Sequence, residues 1–126
     1  MRLLLDTSVL IDALRSRRER RELLAQLVRD GHSLATTALN IGEVYAGLRA
    51  EESRAAEVFL ESLQCYELTC NSGRIAGSLK NTWARKGRTI SIADAAIAAV
   101  ALERECTLLT DNRKDFPMPE LKLYPL

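Results

Sequence analysis

Residues 3–12 read Leu3-Leu4-Leu5-Asp6-Thr7-Ser8-Val9-Leu10-Ile11-Asp12, and the fold follows from how that run divides. The leucines before Asp6 are too few to cross a membrane and form the pattern of a buried strand. Asp6 ends the strand and helical spacing resumes after it, which places the carboxylate at the carboxyl edge of a sheet. Open α/β sheets bind ligands at that edge. A plainer reading of the same stretch makes Asp6, Thr7 or Ser8 the cap of the following helix, accepting hydrogen bonds from its free N–H groups.

Working outward, the first helix runs to Leu14. Leu23, Leu24, Leu27 and Val28 recur at helical spacing and stop at Asp30-Gly31, so two helices form a hairpin. Ser33 to Ala35 predicts a brief strand, and Thr36 or Thr37 caps a third helix with the apolar stripe Ile41, Val44, Tyr45 and Leu48. A fourth helix over 51–63 precedes a strand over 65–68. The fifth, over 71–86, has Ile75, Leu79 and Trp83 on its buried side and Gly87 as its stop. Ser91 opens a sixth over 92–102 that is apolar nearly all round, as for a helix buried on most of its circumference. Thr107 to Leu109 is a strand, a polar turn follows, and Leu121 to Tyr124 reads as a last edge strand. Alternating strands and helices predict one α/β domain over residues 1–126, with a central, mostly parallel sheet flanked by helices on both faces.

That architecture brings acids from distant parts of the chain to one edge. Asp6 and the turn after Leu109 lie at carboxyl ends of strands, and Asp94 lies in the first turn of a helix entering there. A carboxylate in so apolar a helix is costly unless donors or a cation meet it, so Asp94 is either a cap partner of Ser91 or a metal ligand. Glu43 lies off its helix's apolar stripe, among Asn40, Ala46 and Gly47, where it can reach a cleft; otherwise it is a surface glutamate. Mutual repulsion raises the pKa values of converging acids unless a divalent cation neutralises them, and oxygen-only ligands favour Mg²⁺ or Mn²⁺. A metal held by Asp6 and Asp94 is one way to meet that repulsion. His32, the only histidine, sits in a turn-like stretch and Ser8 and Thr110 lack a neighbouring base, which argues against metal-free acid–base or nucleophilic chemistry.

Net charge is only +1, from 18 basic and 17 acidic residues, but the cations are clustered. Arg15, Arg17, Arg18, Arg20 and Arg21 crowd one stretch and Arg85, Lys86 and Arg88 another, which suits a protein holding a polyanion near an acidic site. The first cluster is expected to contact phosphate or an acidic partner segment, unless it is a solvated helix face. Three cysteines without metal-type spacing and a poor signal peptide lead to the expectation of a reduced, cytoplasmic protein with no membrane segment.

Four segments then carry a resemblance: 4–12 around Asp6, Gly42-Glu43-Val44-Tyr45-Ala46-Gly47-Leu48, Ile92-Ala93-Asp94-Ala95-Ala96-Ile97-Ala98-Ala99, and Leu108-Leu109-Thr110-Asp111-Asn112-Arg113-Lys114-Asp115-Phe116. In this order they resemble the motifs of PIN-domain ribonucleases of the VapC toxin type. The resemblance implies a Mg²⁺- or Mn²⁺-dependent endoribonuclease acting on RNA, often a homodimer and silenced by a small cognate antitoxin. By position, Asp6, Glu43 and Asp94 match three family acids. The fourth place, where family members carry Asp or Asn, falls on Asn112, with Asp111 and Asp115 on either side. If the extended backbone persists past Leu109, Asp111 faces away from Thr110 and Asn112, and Asp115, a turn later, returns to their side; Asp115 is therefore the expected fourth acid. An antitoxin helix would find an apolar groove along the third and fourth helices, near Tyr45, Leu48 and Phe59.

A haloacid-dehalogenase-type phosphatase wants a second Asp where Ser8 stands, and a receiver-type domain wants paired acids on the first strand and a late Lys. A non-catalytic PIN-like module binding RNA or protein is the alternative of a different class. Chelator-sensitive RNA cleavage separates it from a nuclease.

Overall fold

The computed structural model describes residues 1–126, and no helix in it is long and apolar enough to cross a membrane. Strand β1 (Arg2–Leu5) carries Leu3, Leu4 and Leu5 fully buried, and the period of a strand deals them alternately to two cores. Leu4 joins Ala35, Ile97, Val100, Leu108 and Phe116 on one face of the sheet. Leu3 and Leu5 join Val9, Leu10, Leu24, Val44 and Leu60 on the other.

The order of elements is β1, α1 (Thr7–Leu14), α2 (Arg20–Arg29), β2 (Ser33–Thr37), α3 (Ala38–Ala46), α4 (Ser53–Glu61), β3 (Gln64–Tyr66), α5 (Cys70–Arg85), α6 (Ile92–Glu103) and β4 (Thr107–Leu109). Single 3₁₀ turns at Ala50–Glu52 and Arg113–Asp115 complete it. The sheet order is β3-β2-β1-β4 and every pairing is parallel. The chain therefore winds outward from β1 to β3, then crosses back to place β4 on the other side of β1. The two directions part between β1 and β4, so a crevice opens beyond their carboxyl ends. Asp6 and Thr110 are the first residues past those ends.

Each helix meets its expected place, with shifts of a residue or two at the ends. The strand expected over 65–68 is shorter and ends at Tyr66, because Thr69 is drawn away to cap α5 by accepting from the Ser72 N–H. The expected last strand does not form. Leu108 donates to the Lys122 carbonyl and accepts from the Tyr124 N–H, both at 2.8 Å, leaving a single bridge at Leu123. Pro125, which has no N–H, stops the ladder there.

We predict that Leu4→Ala, which opens a void in the core shared by β1, β4 and α6, lowers stability by about 2–5 kcal/mol, read as an earlier midpoint in urea.

Candidate active site

Asp6 is only 5% exposed, and both its oxygens are occupied. Its Oδ1 accepts from the Thr7 N–H at 2.9 Å and from Asn40 Nδ2 at 3.3 Å, and its Oδ2 accepts from the Thr110 hydroxyl at 2.7 Å. The capping and functional readings of this residue are therefore compatible: Asp6 is the N-cap of α1 and also the centre of a network. Ser8, the other possible cap, has its Oγ buried with no partner.

Asn40 is completely buried on α3 and organises the surrounding polar groups. Its amide also donates to Thr7 Oγ1 at 2.9 Å, while its Oδ1 accepts from the Thr37 hydroxyl at 2.7 Å. Thr37 in turn caps α3 by accepting from the Asn40 N–H at 3.1 Å. The Thr7 hydroxyl is thus left to donate to Glu43 Oε1, at 2.7 Å. Glu43 is exposed, yet this bond holds it beside the Asp6 turn. Residue spacing points Glu43 toward a cleft but does not single out Asn40, Thr7, Thr37 and Thr110, which do the holding. An asparagine one helical turn before Glu43 was the available signal.

Asp94 lies half-buried in the first turn of α6, where Ser91 caps the helix by accepting from the Asp94 N–H at 3.0 Å. Burial pushes the Asp94 carboxyl above the usual Asp range, and the negative charges of Asp115, Asp6 and Glu43 push it further, against a hydrogen bond to Ser91 that pulls the other way. Asp94 therefore feels the other three expected acids across the crevice. Asp111 takes no part. Its Oδ1 meets Arg20 Nη2 at 2.6 Å and Arg18 Nη1 at 3.5 Å, on the side facing α2. Asn112 is exposed and its N–H donates to Thr110 Oγ1 at 3.0 Å, which starts the 3₁₀ turn that carries Asp115 back.

None of Asp6, Glu43, Asp94 and Asp115 forms an ion pair with a cation of the chain, whose salt bridges involve Asp12, Glu52 and Asp111 instead. No three ligand-type side chains are gathered tightly enough to hold an ion by themselves. That spacing suits a hard cation that keeps several waters and touches one or two carboxylates, as Mg²⁺ does. An all-oxygen donor set with unneutralised negative charge fits such an ion.

The first arginine cluster departs from expectation. Arg15 binds Glu52 through Nε and Nη2 at 2.9 and 3.1 Å and draws the Glu52 pKa down to about 2. Arg18 and Arg20 hold Asp111, and Arg21 caps the carbonyls of Ala13 and Leu14. These side chains brace a connection in which Ser16, Arg18 and Glu19 all adopt left-handed backbone, a conformation that costs non-glycine residues roughly 1 kcal/mol or more each. Most of the cluster is structural because carboxylates and open helix ends stand within its reach.

The model of the PIN domain matches residues 3–118. This chain belongs to the PIN-domain family. It is 35% identical over 120 residues to a protein named Ribonuclease VapC19 from Mycobacterium tuberculosis, covering 94% of this chain and 96% of that one. It is 32% identical over 118 residues to Ribonuclease VapC10 of the same organism, covering 94% and 88%. In fold, this PIN domain is similar to the crystal structure of VapBC2 from Rickettsia felis bound to a promoter DNA fragment, with a TM-score of 0.84 over 98% of each chain and 24% identity.

A raised folded-state pKa means that Asp94 favours the folded protein while protonated, below its ordinary value of 3.8, and that this contribution is lost as pH rises through the raised value. We predict that, with chelator present, Asp94→Asn melts above the wild type at pH 7 and that the gap closes toward acid pH. Equal melting temperatures at pH 7 would remove the repulsion argument.

Proposed function

We propose that this PIN domain is an endoribonuclease that hydrolyses RNA phosphodiester bonds with a divalent cation, Mg²⁺ or Mn²⁺, and is the toxin of a toxin–antitoxin pair. The observation that carries the reading is the convergence of Asp6, Glu43, Asp94 and Asp115 with no cation of the chain to neutralise them. The naming of VapC19 and VapC10 as ribonucleases supports it.

Asp6 and Asp94 are the assigned ligands. Asp6 is fixed by Thr110 and Asn40, so its oxygens present lone pairs in a set direction, and Asp94 projects from a helix end that cannot shift without disturbing the core. A divalent ion held there supplies Lewis acidity to the scissile phosphate and lowers the pKa of the attacking water. Glu43, exposed and steadied by the Thr7 hydroxyl, is placed to accept a proton from that water. Asp115 adds negative charge on the far side, where Asn112 supplies none. With the chain's only histidine bonded through Nδ1 to the Met1 amino group at 3.1 Å, the acid–base work falls to carboxylates and water.

Incubation of the purified protein with total RNA, with and without Mg²⁺, tests the reading. Chelator-sensitive cleavage is expected, lost in Asp6→Asn and Asp94→Asn with the fold intact. Asp115→Ala should demand more Mg²⁺ or lose activity while Asp111→Ala retains it, and the reverse order would move the fourth acid to Asp111.

We place the antitoxin in a groove that shares Phe59 with the expected one. The apolar groove, about 1130 Å³, lies between α2 and α4 over the start of β2, and Phe59 lines it while Tyr45 and Leu48 do not. Val28 and Val58 stand 55% and 57% exposed along it, and Arg21 and Arg54 flank it. This is the surface of an amphipathic partner segment with acidic flanks. That the similar R. felis structure is a VapBC complex supports an antitoxin as its occupant. A homodimer is part of the same proposal, and the mass in solution tests it. We predict that Val58→Glu leaves cleavage unchanged and releases the protein from neutralisation by the product of an adjacent small reading frame.

A further inference from the structure

The second basic cluster differs from the first in having no carboxylate to satisfy it. Arg74, Arg85, Lys86 and Arg88 are exposed, and none makes an ion pair. Arg88 reaches the carbonyl of Lys114, one residue before Asp115, and Lys80 reaches the carbonyl of Ile90, in the turn that leads to Asp94. This end of α5 is therefore stitched to both acids on the α6 side of the crevice.

A cleft of about 510 Å³ runs from it along α5 toward the Pro119-Glu120 segment. Its cations are Arg74 and Lys86, about 18 Å apart along the helix axis at 1.5 Å per residue, and its one carboxylate is Glu120. Ile75, Leu79 and Trp83, which spacing assigned to the buried side of the helix, are instead half-buried: one side packs on the core and the other lines the cleft. Trp83 is the only tryptophan of the chain, and Lys86 Nζ lies 4.5 Å from its ring centroid. A partly exposed indole with Lys86 over its ring, Arg74 farther along the same cleft and hydroxyls from Ser78 and Thr82 between them is how proteins hold single-stranded nucleic acid: bases stack on the ring and phosphates meet the cations. A protein segment would find little apolar area here to bury.

We propose that this α5 cleft is a subsite for single-stranded RNA flanking the scissile bond, with one base stacked on Trp83 and phosphates held by Lys86 and Arg74. The subsite rests on the nuclease reading for its place in a reaction, but its binding can be measured without cleavage. Lys86 leaves the ring face when the base arrives and pairs with the adjoining phosphate. Arg85 and Arg88 continue the positive path toward the crevice.

The test uses the full chain with chelator present and a short, dye-labelled single-stranded RNA of random sequence. Trp83 emission should be quenched in step with the rise in RNA anisotropy. Trp83→Leu, which keeps apolar packing but not stacking, should bind about 5- to 150-fold more weakly, the loss of one base stack. The pair Arg74→Ala and Lys86→Ala should lower the slope of log affinity against log salt by about 1.4, at 0.7 per single-strand phosphate contact. With Mg²⁺ restored, both variants should raise KM for RNA and leave kcat near wild type, which a merely structural role for Trp83 would not do. RNA binding that leaves Trp83 emission unchanged, or affinity and slope unmoved by the substitutions, overturns the subsite while cleavage of total RNA leaves the nuclease standing. Quenching and binding without any cleavage would instead keep the subsite and sink the nuclease. Occupation by a second copy of the chain would appear as a dimer that Arg74→Glu dissociates without changing RNA affinity, and that too overturns it.

Discussion

A buried carboxylate must be met by donors or it will not stay ionised, and Asp6 is the point where this protein satisfies that demand. Its partners come from the far ends of the chain: Thr7 beside it, Asn40 from α3 and Thr110 past the end of β4. The Asp6 N–H also donates to the Leu109 carbonyl at 3.0 Å, so β1 and β4 are locked together where the sheet opens. Losing the Asp6 side chain would leave the buried Thr110 hydroxyl and one N–H of the buried Asn40 amide without acceptors, each costing about 1–3 kcal/mol. The group at the centre of this network therefore also closes the sheet.

Around that fixed anion the chain adds negative charge it does not need for folding. Burial and its acidic neighbours both penalise an ionised Asp94, while Asp111, one position before the family place at Asn112, is paired with arginines. The difference lies in which side of the β4 turn each acid faces. The carboxylate turned toward α2 finds guanidinium groups; those turned into the crevice find neutral donors and one another, and no cation. The crevice thus gathers carboxylates without a cation of the chain to meet them, which is the electrostatic condition for drawing in a divalent cation.

Much of this was legible because the signals were periodic or positional. The leucines of β1 and the apolar circumference of α6 allow few readings, and strand ends fix where Asp6 and the β4 turn must lie. Glu43 and Asp115 were reachable from helix faces and strand alternation. What escaped was whatever depends on partners distant in sequence. Asn40 looked like one more residue of α3 until Thr37, Thr7 and Asp6 were placed around it. The first arginine cluster looked like a nucleic-acid surface, but Glu52 and Asp111, 37 and 91 residues away from Arg15 and Arg20, absorb it. The apolar groove opens between α2 and α4, beside only one of the two helices that the stripe pointed to, because an apolar stripe does not say which element covers it, and Tyr45 is exposed elsewhere.

Helix α2 ties these regions together. Its first residue, Arg20, holds Asp111 at the end of β4, and one turn later Leu24 lies in the core and lines the apolar groove. The strained connection before it is kept in place by the same ion pairs, with Arg15 reaching across to Glu52, at the start of α4 on the groove's other wall. Any occupant of that groove leans on two helices whose first residues are pinned by these bridges. The arginines that seemed poised to bind RNA thus hold rigid the frame between the partner surface and the acidic crevice, and the task of meeting phosphate passes to the cations of α5, which nothing in the fold neutralises.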